Sequence, residues 1–563
     1  MNAPPVSGCC PDLRYSLNIP DITFRFHSRN PDFLSDSLPI ICNVCYDEAD
    51  ESDLSAQVWQ TAPSLRKLAH NRPGSAIWKG SVVMSRLLVK NIDTLVSCDN
   101  DDHVYNHVDL VCEDGRICAI RPHEDSPAVP SGSCCTSGDS SGHMPKGDAA
   151  EAEYDIVIDG TGMLCYPGLV NAHHHLYQIF SRNLPQVQNM ELFDWLTTLY
   201  EVWKNLNEDT IRLSSLVGIG ELMKNGCTTI FDHHYVFPEN GGDLLAAQWQ
   251  AAEILGARMH FSRGSMDLSK KDGGLPPDSV VQSVDEIMKD SVRLVEKYQD
   301  NSFTSMHRIA LAPCSPFSVS SDLLRESAKL ARSCHVRLHT HLCETKDEER
   351  FTLEHFGLRP VAYMESLDWL GPDVWFAHGI HLNDEEIQLL ADTGTGVCHC
   401  PISNMKLSSG IARIPDMLKA GVHVGLGVDG SASNDGSNLL EEMRVCFLLH
   451  RLNSSKAAPD GYQVLKMATI GSAALLGREH EIGSLETGKC ADFFLVDSHR
   501  LELVGACYDP KSVLATVGLK GAVDWTVVNG KVTVEHGRLA GADEEKIVAD
   551  ADEELKRYLA DIM

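Results

Sequence analysis

The chain has 563 residues, of which 43% are hydrophobic, and a formal net charge of −31. This length exceeds one ordinary domain and allows a sizeable core, whereas the acidic charge argues against nucleic acid and anionic membrane surfaces as partners. No apolar run approaches the roughly 18 residues of a membrane-spanning helix, and the N-terminal residues lack the basic and apolar stretches of a signal peptide.

Residues 1–82 carry proline, serine and charge with little periodicity, so we treat them as an N-terminal extension of unknown function. Strand patterns then occupy 83–165, interrupted at 123–151 by a Ser/Gly/Pro-rich insert whose composition predicts a disordered loop. Strand–turn–strand patterns return at 481–540, and a helix is predicted for 541–563. The two strand-rich flanks predict one small β-sandwich domain formed from both sides of the central region.

The central region, residues 166–480, alternates short apolar strands with helical stretches. Eight strand–helix units over this length predict an α/β fold of the (β/α)8 TIM-barrel type. The predicted strands are the apolar segment before His173, followed by CTTIFDHH, ARMHFSR, HRIALAPCS, VRLHTH, VWFAHGI, TGVCHC and HVGLGVDG.

The 19 cysteines are odd in number and scattered through predicted strands and helices. A disulfide framework is typical of small secreted domains with regularly spaced cysteines, which this chain is not. The cysteine usage therefore predicts reduced thiols in a cytoplasmic protein.

The first predicted barrel strand ends in a run of three histidines, His173-His174-His175. Alternate side chains of a strand share a face, so His173 and His175 are expected to point one way and His174 the other. Two imidazoles on one face form half of a site for a zinc-like ion. The alternative, a surface turn rich in histidine, depends on whether other strand ends supply further ligands.

Other strand ends do carry such residues. His341 ends the fifth strand, Glu344 follows three residues later, His378 ends the sixth strand and Asp429 ends the eighth. Each has a structural alternative by itself: a core histidine, a solvated acid or a turn residue. Catalytic groups of these barrels lie at the carboxyl ends of the strands, so their coincidence there predicts one functional site.

This set offers three imidazoles and a carboxylate for a divalent metal, with a further carboxylate and imidazole for proton transfer. A zinc-like ion lowers the pKa of its water from about 15.7 toward 7, which produces a nucleophile at neutral pH. A second, lysine-bridged metal would need a lysine near the end of the fourth strand, where the sequence reads APCS. One divalent ion, Zn²⁺, is therefore the predicted cofactor.

Several segments together resemble the amidohydrolase superfamily, and within it the 8-oxoguanine deaminases and hydroxytriazine aminohydrolases. The resemblance covers about 85–540 without the insert and is carried by PGLVNAHHHLYQ, RGSMDLS, LAPCSPFSVS, LHTHLCET, CHCPISNMKLSSGIA and GLGVDGSASNDG. It implies a metal site whose ligands are His173, His175, His341 and Asp429.

The same resemblance implies the catalytic roles. Glu344 would protonate a ring nitrogen and pass the proton to the leaving ammonia, while His378 would hold the attacking water or the oxygen of the tetrahedral carbon. Asp429 would accept the proton of the water.

For the substrate, the resemblance implies a small heterocycle. Gln178 and Arg263 would form hydrogen bonds with ring carbonyls, and Trp195 would pack over the ring. The structural alternatives are a surface amide for Gln178, an ion pair for Arg263 and a core position for Trp195. The implied reaction is deamination of an oxidised purine, 8-oxoguanine to urate. Its alternatives are guanine deamination and hydrolysis of an s-triazine alkylamine, or, in another class, an inactive barrel used as a scaffold. A homo-oligomer is compatible with this interpretation.

Overall fold

The computed structural model describes residues 85–124, 154–560 and 562, together with two short strands near the N-terminus. Those strands, β1 (Ser16–Ile19) and β2 (Ile22–Arg25), pair antiparallel and belong to a unit separate from residues 82–563. The rest of the predicted extension and nearly all of the predicted insert lie outside the described residues. In the described part of the chain, no helix is both long and apolar enough to cross a membrane.

The remaining strands comprise those of the barrel and those of its flanks. In chain order they are β3 (Arg86–Val96), β4 (Val104–Glu113), β5 (Arg116–Pro122), β6 (Ile156–Asp159), β7 (Met163–Pro167), β8 (Leu169–Asn171), β9 (His174–His175), β10 (Cys227–Phe231), β11 (Arg258–Ser265), β12 (His307–Pro313), β13 (Arg337–Leu342), β14 (Val374–His378), β15 (Gly396–His399), β16 (Val424–Leu426), β17 (Asp429–Gly430), β18 (Phe493–Asp497), β19 (Trp525–Val528), β20 (Lys531–Glu535) and β21 (Arg538–Leu539).

The α-helices alternate with these strands. They are α1 (Leu192–Trp203), α2 (Glu208–Lys224), α3 (Leu244–Leu255), α4 (Val284–Tyr298), α5 (Ser321–Ser333), α6 (Lys346–Phe356), α7 (Pro360–Glu365), α8 (Asp384–Thr393), α9 (Pro401–Lys406), α10 (Ile414–Ala420), α11 (Ser431–Asn434), α12 (Leu439–Ser454), α13 (Gly461–Lys466), α14 (Ser472–Leu475), α15 (Val513–Thr516) and α16 (Glu544–Tyr558). Several begin at side-chain caps, such as Asn207 before α2 and Ser283 before α4, which satisfy the free N–H groups of the first turn.

The central sheet has eight parallel strands in the order β8-β10-β11-β12-β13-β14-β15-β16, which follows the chain. Strands β10 and β14 are buried along their whole length. Burial on both faces explains why the barrel strands read as apolar runs rather than as alternating patterns. The predicted (β/α)8 barrel is confirmed.

The first and last barrel strands meet through a short extension at their carboxyl ends. Strand β9 pairs in parallel with β17, and the backbone N–H of Asp429 donates to the carbonyl oxygen of His173 at 3.1 Å. This pairing joins the two sides of the barrel where the predicted metal ligands begin. Residues more than 250 positions apart in the chain therefore become neighbours.

The flanks contribute to one nine-stranded sheet beside the barrel, in the order β21-β20-β19-β18-β7-β3-β4-β5. The ninth strand, β6, pairs in parallel with the first half of β3. Strand β18, which follows the barrel, pairs antiparallel with β7, which precedes it. Leu87 and Val89 of β3 share a hydrophobic cluster with Phe493 of β18 and Val527 of β19. This flanking β domain is thus built from strands that precede the barrel in the chain and from strands that follow it.

Candidate metal centre and active site

The predicted metal ligands lie together at the carboxyl end of the barrel. Nε2 of His175 lies 3.2 Å from Nε2 of His341 and 3.2 Å from Oδ1 of Asp429, and Nε2 of His173 lies 3.2 Å from the same oxygen. All four side chains are buried. A tetrahedral ion with bonds of about 2.0–2.1 Å spaces its donor atoms roughly 3.3–3.4 Å apart, so these separations fit one zinc-sized ion.

Two further histidines border this cluster. Donor atoms of His173, His341, His378 and Asp429 lie within 4.8 Å of one another, and so do those of His173, His175, His233 and His341. His233, however, places its Nε2 2.8 Å from the carbonyl oxygen of Ala312, and Nε2 of His378 faces Glu344 at 3.5 Å. The four predicted ligands are thus bordered by two further imidazoles, and Nδ1 of His233 is buried without a hydrogen-bond partner among the described residues.

The middle residue of the triple histidine points elsewhere. Nε2 of His174 lies 3.1 Å from Oγ of Ser437, outside the cluster. His174 is nevertheless completely buried. His174 therefore lies on the opposite face of the strand from His173 and His175, although all three side chains are buried.

The orientation of each ligand ring is set by a partner at its other nitrogen. Nδ1–H of His175 donates to the carbonyl oxygen of His233 at 2.7 Å, and Nδ1–H of His341 donates to that of Cys314 at 2.6 Å. A proton on Nδ1 leaves the Nε2 lone pair directed at the centre of the cluster.

His173 is held in a different way, by an imidazole of the fifth barrel strand that was not predicted from the sequence. Its Nδ1 lies 2.9 Å from Nε2 of His339, whose own Nδ1–H donates to the carbonyl oxygen of Trp375 at 2.9 Å. Because that donation leaves His339 only a lone pair at Nε2, His173 must supply the proton. The signal was present in LHTHL, where His339 lies two residues before His341 and therefore on the same strand face.

The electrostatics of the cluster suit a cation. Burial lowers the pKa of His173 to about 3 and that of His341 well below its usual range, so both rings are neutral. Burial opposes ionisation of Asp429, but the adjacent His173 and His175 hold the pKa of its carboxyl well below the usual value. In the described part of the chain, the buried Nε2 of His173 has no hydrogen-bond partner. Neutral lone pairs and one carboxylate therefore face each other without a positive charge.

Glu344 and His378 lie beside the cluster. Burial, and then the negative charge of Asp429, raise the pKa of Glu344 to about 8. The loop that carries Glu344 is anchored by the buried Glu348, which accepts the backbone N–H groups of Cys343 and Glu344 at 2.8 and 2.9 Å. Nδ1 of His378 lies 2.9 Å from Oδ1 of Asn404. Glu348 and Asn404 were not found from the sequence, because neither occupies a strand end.

Two of these residues have backbone angles that non-glycine residues rarely adopt. His378, the last residue of β14, has φ of 75°, and Asp429, the first residue of β17, has φ of 60°. Such left-handed conformations are unfavourable, and they cluster at functional sites, where the surrounding structure enforces them. Both side chains contribute donor atoms to the group around His173 and His341.

A small cavity opens on the cluster. His175, His341, Glu344, His378 and Asp429 line one side, and Gln178, Trp195, Leu192, Leu196, Phe317 and Leu407 are among the residues of the other sides. Its volume of about 30 Å³ equals roughly one water molecule. A bicyclic or triazine ring can therefore enter only if the apolar side of the cavity moves.

Of the predicted substrate contacts, Gln178 and Trp195 reach this cavity. Oε1 of Gln178 accepts the backbone N–H of Ala432 at 3.3 Å, which leaves its amide N–H groups as donors. Trp195 is buried, and its Nε1–H has no partner among the described residues. Gln178 can therefore donate a hydrogen bond to an acceptor in the cavity.

Arg263 is not brought to the cavity. Its Nε donates to Asp290 at 2.7 Å, its Nη2 donates to Oε1 of Gln282 at 2.7 Å, and its guanidinium lies 4.1 Å from the ring centre of Phe237. The side chain is fully buried in this arrangement. Its donors are engaged within the protein.

The chain is similar to known proteins over most of its length. The family model described as "Amidohydrolase family" matches residues 164–533. The chain is 43% identical over 466 residues to the 8-oxoguanine deaminase of Pseudomonas aeruginosa, which covers 83% of this chain and 97% of that protein. It is 39% identical over 482 residues to the hydroxydechloroatrazine ethylaminohydrolase of Pseudomonas sp. strain ADP, covering 84% and 96%.

A solved structure agrees with these matches. The atrazine chlorohydrolase of Arthrobacter aurescens TC1, solved in complex with zinc, superposes with a TM-score of 0.76 and 31% sequence identity. The superposition covers 83% of this chain and 100% of that chain. The likeness extends over both the barrel and its flanks.

Proposed function

The chain belongs to the amidohydrolase family and is a hydrolase of non-peptide C–N bonds, and from this premise we propose that it deaminates an oxidised purine. The specific reaction is 8-oxoguanine and water giving urate and ammonia. The C2–N bond to the exocyclic amine breaks and a C2–O bond from water forms. The observation that carries the proposal is the ligand cluster with Glu344 beside it, in a chain 43% identical to an 8-oxoguanine deaminase over nearly the whole of that enzyme.

We propose that one divalent ion, Zn²⁺, is held by four ligands. They are His173, His175, His341 and Asp429, whose donor spacing and charge support this assignment. When bound, the ion supplies Lewis-acid activation of a water molecule at neutral pH. Asp429 accepts the proton of the attacking water, with its Oδ2 held by Oγ of Ser403 at 2.5 Å.

Glu344 carries the other proton of the reaction. Burial and the nearby Asp429 raise its pKa and favour the protonated form, which can donate a proton to the ring nitrogen next to the reacting carbon. As a carboxylate it then relays a proton to the amine, which leaves as ammonia. His378, 3.5 Å from Glu344, holds the attacking water on the same side of the ring.

Gln178 and Trp195 are the proposed contacts of the ring. The amide N–H groups of Gln178 suit the carbonyl oxygens of an oxidised base better than an exocyclic amine, and Trp195 offers its ring to the planar base. Arg263 could bind a ring carbonyl only if its ion pair with Asp290 broke, so it is not one of the proposed substrate contacts.

A second candidate is release of an alkylamine from a hydroxytriazine, favoured by the 39% identity to an ethylaminohydrolase of that class. Both substrate types carry an exocyclic nitrogen on an amidine carbon, so the same Glu344 and Asp429 chemistry applies. The difference lies in the leaving amine and in the size of the ring.

A substrate panel separates these candidates. The zinc-loaded enzyme is incubated with 8-oxoguanine, guanine, isoxanthopterin and a hydroxylated ethylamino-triazine, and ammonia and ethylamine are quantified. We expect kcat/KM for 8-oxoguanine to exceed that of the others by roughly tenfold or more. Ethylamine release at the highest kcat/KM would replace the proposal by the triazine reaction, and stoichiometric zinc without any amine release would overturn both.

A further inference from the structure

The barrel has a second polar cavity at its other end. It lies where β12 and β13 begin and is lined by Arg308, Arg337, His260, Gln299, Asn301 and Trp375, among others. Its volume is about 160 Å³. Because parallel strands all start at one end of a barrel, this cavity is separated from the ligand cluster by the length of the strands.

Guanidinium groups outnumber carboxylates around this cavity. Arg258 makes a two-pronged ion pair with Asp492, at 2.9 Å from each oxygen. Arg308 and Arg478 share a single carboxylate, Glu481, at 2.6 and 2.5 Å. These three arginines therefore share two carboxylates, Asp492 and Glu481.

Arg337 has no ion-pair partner in the described part of the chain. Its Nη2 donates to the carbonyl oxygen of Pro372 at 2.6 Å, and its Nε is buried without a hydrogen-bond partner. Asp373 pairs with Arg332 at 3.1 Å, and Glu479 acts on Arg337 only at a distance, without forming an ion pair with it. Burial lowers the pKa of Arg337 to about 10, which still leaves it charged at neutral pH.

A buried charge without a partner is unfavourable, so buried charges are normally paired with an opposite charge or a ligand. Arg308 and Arg337 both line the cavity, and no acidic residue is among the described residues that line it. Within the described part of the chain, Arg337 therefore presents a guanidinium without an ion-pair partner at this cavity.

We propose that this cavity is a binding site for a small oxyanion of the phosphate class, with Arg337 and Arg308 as its main donors. The planar guanidinium fork matches the oxygens of such an anion, and two forks can each donate in pairs. The volume corresponds to about five water molecules and lies below the roughly 300–1,000 Å³ of sites for larger ligands. The cavity therefore has room for one inorganic anion or one phosphoryl group and not for a nucleotide. This site is independent of the proposed deaminase activity.

Binding is tested with inorganic phosphate on the zinc-loaded full chain, by calorimetric titration and by Tm at constant ionic strength, with chloride as the reference anion. We expect phosphate to bind with saturation and to raise Tm, and Arg337→Met to abolish both effects. The matched control is Arg325→Met, which removes an exposed arginine paired with Asp322 on α5 and should bind phosphate like the wild type. Because the cavity is remote from the ligand cluster, Arg337→Met should retain wild-type zinc content.

A second variant tests whether a negatively charged side chain in the cavity can replace the bound anion. Gln299→Glu places a carboxylate in the cavity and keeps the oxygen that accepts the backbone N–H of Ile309. It should raise Tm in phosphate-free buffer and remove the response to phosphate. A wild-type protein whose Tm responds equally to phosphate and chloride, or a Gln299→Glu variant that responds to phosphate like the wild type, would overturn the proposal.

Discussion

The two ends of this barrel have opposite electrostatic requirements, although the same strands build both. Strand β13 begins at Arg337 and carries His341 near its other end. At the carboxyl end, neutral imidazoles and one carboxylate converge without a positive charge. At the amino end, guanidiniums exceed their carboxylates.

The difference follows from how each side chain responds to burial. An imidazole loses its proton when it is buried and becomes a ligand, as the lowered pKa of His173 illustrates. A guanidinium keeps its proton under the same conditions and must be paired. Counting charges at a buried site thus indicates whether a cation or an anion completes it.

The largest expected effect is at the carboxyl end. His341→Ala removes one of four ligands and should abolish zinc binding and activity together, measured by metal analysis and ammonia release. His174→Ala is the matched control, since its ring faces Ser437 and not the cluster. The control should keep zinc while losing about 1–3 kcal/mol of stability from its buried hydrogen bonds. Loss of zinc in the control instead would show that strand pairing, and not ligation, controls metal binding.

Proton transfer at the same end can be separated from metal binding. Glu344→Gln keeps the shape of the side chain but cannot carry a proton, so kcat should fall by about 10²–10⁴-fold while zinc content stays at the wild-type level. Metal analysis and kcat on the same preparation provide the measurement. Near-normal turnover would exclude Glu344 as the proton carrier.

At the amino end, the strongest effect concerns stability. Asp492→Asn leaves Arg258 buried without its charge partner and should lower the free energy of unfolding by about 3–5 kcal/mol. Urea denaturation followed by far-UV circular dichroism measures this. Zinc content of the folded variant should be unchanged, and a parallel loss of zinc would mean that the two ends are coupled.

The smallest expected effect tests the ring that holds His173. His339→Leu removes the acceptor for Nδ1–H of His173 and should weaken zinc binding by about 10–100-fold in a chelator competition. His339→Gln retains an acceptor oxygen and should recover part of this loss. The d–d spectrum of the cobalt-substituted protein should change in His339→Leu, which a purely packing effect would not cause. Equal zinc affinity in all three proteins would remove His339 from the metal centre.

Much of the fold was predictable because barrel strands and their ends have local signatures. The predicted strands ARMHFSR and HRIALAPCS correspond to β11 and β12. HVGLGVDG was predicted as one strand, but the structure divides it into β16 and β17. The break begins at Gly427, where an added Cβ would lie 2.8 Å from both Sγ of Cys398 and Cβ of His173. That close approach involves residues remote in the chain and leaves no local pattern.

The sequence by itself determined the barrel, the face on which His173 and His175 lie, and the residues gathered at the strand ends. Strand alternation and the common direction of parallel strands are enough for this. Only the tertiary structure decided that His339 supports His173, that Arg263 is paired with Asp290 and that Arg337 has no ion-pair partner among the described residues. Each of these depends on which side chain approaches from a distant segment, because a hydrogen bond or ion pair is set by distances within a few ångströms.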